Sequence, residues 1–274
     1  MRRGAYIAAA FLAANLCTGF HGSAQAEPYE LIGAIGVETA GAFRGVKSDR
    51  PKPAVYGYAE YVRGDVVLGL FANPVYIQGE RNALVLGYAE WRPSIGFAEL
   101  QLGGQYYAFP DSSDFTYDLD GDGVVDHSGR KGLFEAKAGL QKKFKGGRLR
   151  LRVYYTPDGF AETGPAWYGY GEARTEIAHG FEARATFGVS RFDDLRYNEN
   201  YADYSVGLFK SIGGFDLFVR YSDTAGLSGP DNRAVIFGVE RFFTLASSGR
   251  DERRRYRKII NDWRIDKSRL RGVR

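Results

Sequence analysis

The sequence has one cysteine, one methionine and three histidines among its 274 residues. Cys17 lies within residues 1–26, which read as an export signal. Arg2 and Arg3 give a short positive region, Ala5 to Leu16 an apolar run, and Ala24-Gln25-Ala26 a small-x-small cleavage site. Lipidation at Cys17 is disfavoured because the bulky Leu16 stands where that processing prefers a small residue. A mature chain starting at Glu27 then has no cysteine, so it has neither a disulfide framework nor a thiolate metal site. After the signal there is also no long uncharged apolar run, and mean hydropathy is -0.34. This excludes a membrane protein made of helices but not one made of strands. The mature chain keeps only His127 and His179, has no Ser in a G-x-S-x-G setting and has no Gly-rich loop leading into a helix. The expectation is therefore that it is not an enzyme.

Aromatics and glycine are abundant: 19 Tyr, 19 Phe and 36 Gly, a mixture suited to strands and tight turns. Alternation is the dominant pattern. Phe181, Ala183, Ala185, Phe187 and Val189 are interleaved with Glu182, Arg184, Thr186, Gly188 and Ser190, giving one apolar and one polar face. Leu149, Leu151 and Val153 alternate in the same way with Arg148, Arg150 and Arg152. About twelve such segments are predicted, near 30–44, 54–62, 65–77, 82–92, 96–109, 132–144, 148–156, 166–178, 180–192, 200–212, 214–224 and 233–243. Tight turns such as Lys145-Gly146-Gly147 and Gly213-Gly214 alternate with mostly longer loops rich in Asp, Asn, Ser, Gly and Pro. A soluble β-sandwich would also alternate. It has no need of the loop asymmetry, nor of the aromatics at segment ends, among them Trp91, Tyr106, Phe144, Trp167 and Phe243. The expected fold is all-β, a single transmembrane antiparallel barrel over residues 27–243.

The formal charge of +4 is unevenly spread. Residues 250–274 supply +7, and Arg2 and Arg3 supply +2, which leaves the body, 27–249, at -5. The basic excess lies at the termini and not on a face of the body, so no nucleic-acid partner is expected. In the tail, 244–274, Tyr256, Ile259, Ile260 and Trp263 follow helical spacing among Arg and Lys. With an even strand count the tail is expected in the periplasm, as a short amphipathic helix or a disordered end. There it could meet an anionic headgroup, peptidoglycan or another partner, or enter the lumen as a plug.

The run FRGVKSDRPKPAVYGYAEY (Phe43 to Tyr61), the following GLFANPVYI and the later QYYAFP resemble the TorF family of porins, whose opening carries an FRG turn, a Pro-Ala entry to the second strand and a Tyr-rich fifth strand. The closing RAVIFGVERFF is similar to that family's last strand. The resemblance covers most of 30–243 in layout and implies a barrel in the bacterial outer membrane and a pore. The chain departs from the family in an Asp-rich insertion near residue 120 and in the tail after Phe243.

If the apolar face meets lipid, Glu135, Lys137, Arg148, Arg150, Arg152, Glu172, Arg174, Glu182, Arg184 and Arg220 fall among the residues facing the lumen. They either line a water-filled path for small hydrophilic solutes or ions, or pair across a narrow lumen and close it. In the latter case the barrel is structural or acts through its loops. The three arginines 148, 150 and 152 are expected to set ion selectivity, or to pair with Glu135 on one side and Glu172 or Glu176 on the other. No cofactor is expected to be required. Asp118, Asp120, Asp122, the Val124 carbonyl and Asp126, with Gly123 at the turn, nevertheless reproduce most of a calcium loop over 118–129. The position of the usual bidentate Glu is held by Gly129, so any calcium affinity should be weak.

Overall fold

The computed structural model describes residues 28–47, 53–77, 80–110, 115–119, 122–129, 132–228 and 231–248. The expected export signal, 1–26, and residues 249–274 of the tail lie outside these. Twelve antiparallel strands close into one barrel in which every strand pairs with its neighbours in sequence. They are β1 (Tyr29–Glu38), β2 (Ala54–Arg63), β3 (Val66–Ile77), β4 (Glu80–Trp91), β5 (Glu99–Ala108), β6 (Leu133–Phe144), β7 (Gly147–Thr156), β8 (Ala166–Glu176), β9 (Phe181–Phe192), β10 (Tyr201–Ile212), β11 (Phe215–Ala225) and β12 (Ala234–Ser247). The ring closes where β1 pairs with β12, from Glu30 opposite Ser247 to Glu38 opposite Gly238, with one irregularity between Leu31 and Ile32. Among the described residues no helix is long and apolar enough to cross a membrane.

The alternation places each side chain. On β7, Arg148, Arg150 and Arg152 point inward, with Arg150 only 1% exposed, whereas Leu151 between them is 65% exposed. Such sidedness is the inverse of a soluble barrel and fits a wall whose outer face meets hydrocarbon. Outward aromatics gather at both ends of the strands. Trp91, Phe144 and Phe215 lie toward the short turns, and Tyr106, Phe134 and Trp167 toward the long loops, the last beside Tyr155 with ring centroids 4.5 Å apart. The turn between β10 and β11 is only Gly213-Gly214, both at positive φ (59° and 84°), which matches the twist of a two-residue hairpin.

Two features depart from simple alternation. The first strand ends at Glu38 and not near residue 44, because the chain turns back at Ala42–Phe43 and Val46–Lys47 to form a short hairpin. The middle of β3 and of β4 is also apolar on both faces. Phe71, Val75, Leu84 and Leu86 point inward and pack with Tyr56, Tyr58, Tyr107 and Phe242 into a buried cluster along one side of the interior. Inward aromatics there lie over glycines of the adjacent strand. A methyl group on Gly36 would meet the Tyr56 ring at 2.3 Å, and on Gly69 the Tyr88 ring at 2.0 Å, so each ring occupies the space of a missing side chain.

Candidate functional site: the barrel interior

The opposite wall, β6 to β11, carries the charge. Register places Arg148 opposite Arg174, Arg174 opposite Arg184, Arg184 opposite Gly207, and Gly207 opposite Arg220. Four guanidinium side chains therefore sit on one hydrogen-bonded row across five strands, interrupted by a glycine. Like charges at this spacing repel, so the row requires anionic neighbours. Glu182 pairs with both Arg174 and Arg184, the latter at 3.1 Å, and Arg148 lies 3.8 Å from Glu172.

The sequence-expected pairing of the 148/150/152 ladder is seen at Arg148, and register also sets Arg150 opposite Glu172. Arg150 donates twice to Gln141 Oε1, at 3.0 and 2.6 Å. Arg152 donates to Gln101 Oε1 at 2.6 Å and lies 3.8 Å from Glu90. Glu90 also pairs with Lys137 and with Arg92, the latter at 2.7 Å, making it the centre of a buried network. Glu176 is exposed, and Glu135 is engaged by a residue that alternation did not single out.

That residue is Arg44, at the tip of the hairpin after β1. Arg44 (φ 48°) and Gly45 (φ 77°) form a turn with both central residues at positive φ, and the tip is inserted into the lumen. Its guanidinium lies 4.2 Å from the ring centre of Tyr168 and 5.7 Å from that of Tyr154, and Nη2 donates to Glu135 Oε1 at 2.5 Å. Glu135 Oε2 accepts from Gln105 at 2.7 Å and from Tyr107 at 3.1 Å, which fixes the carboxylate. Gly45 permits the approach, since a Cβ there would come within 2.5 Å of Asp203 Cβ. Burial opposes the charge on Arg44, but facing Glu135 outweighs it and lifts the guanidinium above the ordinary arginine value. A loop arginine normally points to water. The only sequence signal was the Arg-Gly pair in a run of small and apolar residues.

Two cavities lie on either side of this level and have no lining residue in common. One, of about 540 Å³, is at the long-loop end and is bounded by Arg44, Glu135, Phe160, Phe192 and Tyr197. The other, of about 340 Å³, is at the short-turn end and is bounded by Arg174, Arg184, Arg220, Phe209 and Glu240. Between them Tyr168 donates to Asp203 at 3.0 Å and Tyr170 to Glu172 at 3.0 Å.

The acidic segment is part of a second loop hairpin, Phe115–Tyr117 with His127–Gly129. Tyr197 packs on it, 5.3 Å from the Tyr117 ring and 4.7 Å from the His127 ring, and His127 Nε2 donates to the Ala161 carbonyl at 2.6 Å. Asp118 accepts from Gly123 N, Asp122 from Val124 N and Asp126 from Leu119 N, at 2.6–2.8 Å. Asp120 lies outside the described residues, among which no group of three or more His, Cys, Asp or Glu is arranged to hold a metal. Two neighbouring loops are clipped by Asp-x-Arg pairs. Hydrogen bonds from the side chain and backbone of Arg196 bring Asp194 down to about 2, and Arg233 does the same to Asp231. His179 is in a short turn at the far end from His127.

No protein-family model matches the chain, and no curated protein matches it. Among solved structures, an outer-membrane channel from Pseudomonas putida F1 is similar to it at 10% identity, over 83% of this chain and 98% of that one, with a TM-score of 0.47. Salmonella typhi OmpF in complex with daunomycin gives 9% identity over 80% and 98%, with a TM-score of 0.39. The translocator domain of the autotransporter NalP from Neisseria meningitidis gives 15% over 87% and 94%, with a TM-score of 0.36. At these scores none of the three bears on what this chain does, which rests on the residues inside the barrel.

Proposed function

We infer that this protein is an outer-membrane channel for passive passage of small hydrophilic solutes or ions, held shut in the described state by the Arg44 hairpin. One observation carries the reading: the partition between the two cavities is built around a loop tip whose guanidinium is seated by an ion pair and ring contacts. The export signal, the inverted sidedness of the wall and the resemblance to TorF-family porins support it. On this reading the charged wall, with Arg148, Arg150 and Arg152 at its centre, sets selectivity.

A closed barrel acting through its loops is the second reading, and the packed apolar cluster along β2 to β5 favours it. Planar-bilayer recording of the refolded mature chain separates the two. Discrete current steps are expected, and silence from a barrel shown to be folded by heat-modifiable gel migration would transfer the assignment to the closed form. β12 extends to Ser247, so a tail deletion for the same recording belongs after Ser248; ending the chain at Phe243 would remove Thr244, Ala246 and Ser247, which pair with β1. Steps seen only after that deletion would make the tail the plug.

The acidic hairpin over the long-loop mouth is the proposed calcium site, with Asp118, Asp120, Asp122, the Val124 carbonyl and Asp126 as its oxygens. The spacing supports it, and binding there requires the carboxylates to give up their backbone N–H partners. Limited proteolysis within 111–131 is expected to slow several-fold on adding millimolar calcium. Equal cleavage rates with calcium and with chelator would remove the site.

A further inference from the structure

The short-turn cavity has the features of a binding site in its own right. Arg184 on β9 and Arg220 on β11 flank Gly207 in a single row, and the Phe209 ring lies beside that glycine, 3.2 Å from where a Cβ would stand. Both arginines are more than nine-tenths buried. The Arg184 guanidinium lies over the Phe209 ring, 3.8 Å from its centre, and its Nε has no hydrogen-bond acceptor among the described residues. Arg220 is 3.9 Å from Glu38, and its Nε and Nη2 likewise have no acceptor there. Buried guanidinium N–H groups without acceptors are costly, and a carboxylate is the group whose two oxygens match such a fork.

Four acids line the cavity; Glu176 is exposed, and the other three are engaged by neighbouring side chains. Glu182 is shared by Arg174 and Arg184, Glu240 accepts from Tyr56 at 2.9 Å, and Asp216 accepts from Ser211 at 2.6 Å. Phe181, Phe209 and Phe218 also line it, with the Lys210 ammonium 4.3 Å from the Phe181 ring centre, and the volume of about 340 Å³ suits one small molecule. The donors at one side and the rings at another define a ligand with an anionic head and a flat apolar body.

We propose that this cavity binds a small organic carboxylate, its oxygens between Arg184 and Arg220 and its apolar part against Phe209 and Phe218. The inference deepens the channel reading by naming a solute class, and rests on that reading only for the route by which the solute arrives.

Calorimetric titration of the refolded, detergent-solubilised mature chain with benzoate and with benzamide tests it. Benzoate is expected to bind at least tenfold more tightly than its neutral amide. Arg220→Gln is expected to weaken benzoate at least tenfold, and Arg184→Lys, which keeps the charge but removes the planar fork, several-fold. Arg233→Gln, in a loop at the opposite end, should bind as the parent does. Equal affinity for the acid and the amide overturns the proposal, as does undiminished binding by either folded arginine variant. If Arg220→Gln does not fold, Arg184→Lys decides. Selective binding by a barrel that never conducts upholds the site while removing the channel. A conducting barrel that does not discriminate overturns the site and leaves the channel standing.

Discussion

Replacing Arg44 by Ala is expected to convert a largely closed barrel into one that conducts for most of the recording. The substitution removes the ion pair to Glu135 and the contact with the Tyr168 face together. Loss of one partner of a buried pair costs about 3–5 kcal/mol, and a desolvated cation over a ring adds about 2 kcal/mol. Part of this falls on Glu135, which keeps its bonds from Gln105 and Tyr107 in either state of the hairpin. A net bias of about 3 kcal/mol against the seated tip shifts the closed-to-open ratio by about a hundredfold, at 1.4 kcal/mol per factor of ten. Arg44→Lys should fall between the two, because an ammonium keeps the charge but neither forks onto the carboxylate nor stacks on the tyrosine. The measurement is single-channel open probability at fixed voltage. An Arg44→Ala barrel that folds and stays as closed as the parent would show that the hairpin is not the partition.

The second large effect concerns the apolar side of the interior. Phe71 is fully buried (0% exposed) and stacks on Tyr56 with centroids 6.1 Å apart, while Leu70 beside it is 51% exposed on the outer face. Phe71→Ala empties a ring-sized volume that neither water nor lipid can fill well, and should cost about 3–5 kcal/mol. Leu70→Ala leaves no cavity, because acyl chains close over it, and should cost only the lost transfer of its carbons from water to hydrocarbon, about 1–2 kcal/mol. Urea unfolding from lipid vesicles, read by gel mobility, compares them directly. Because a one-residue slip exchanges the two faces, a larger loss at Leu70 than at Phe71 would mean that β3 is placed one residue out of register.

The reach of the sequence can be seen in individual strands. On β7 the alternation of Arg with Leu and Val fixed both the strand and its sidedness, because period-2 patterning and a lipid-facing wall are the same physical statement. On β3 and β4 it could not, since Val67, Phe71, Leu84 and Leu86 are as apolar as the residues on the other face, and only the closed ring reveals which set is inside. The arginines along β7 were legible because they share a strand. The row through Arg148, Arg174, Arg184 and Arg220 was not, because it exists only by register, which the turns and the β1–β12 closure determine. Arg44 was hidden for a different reason: a turn-forming pair says that the chain reverses, not that it reverses into the barrel. In the acidic loop, spacing identified oxygen-rich positions but not the backbone amides that three of the carboxylates accept.

The hairpin carrying Arg44 belongs to the first loop, yet the rings and carboxylate that hold it lie on β6, β7 and β8. In an unrolled sheet β1 and β8 are seven strand spacings apart, about 34 Å. The six residues from the end of β1 to Arg44 span about 20 Å even when fully extended. The tip cannot reach its seat along a flat sheet; it reaches it only across the diameter of a ring that has already rolled up. Seating the tip against β8 therefore follows the curling of the wall, so the first loop to be synthesised takes its place only after strands made later have folded.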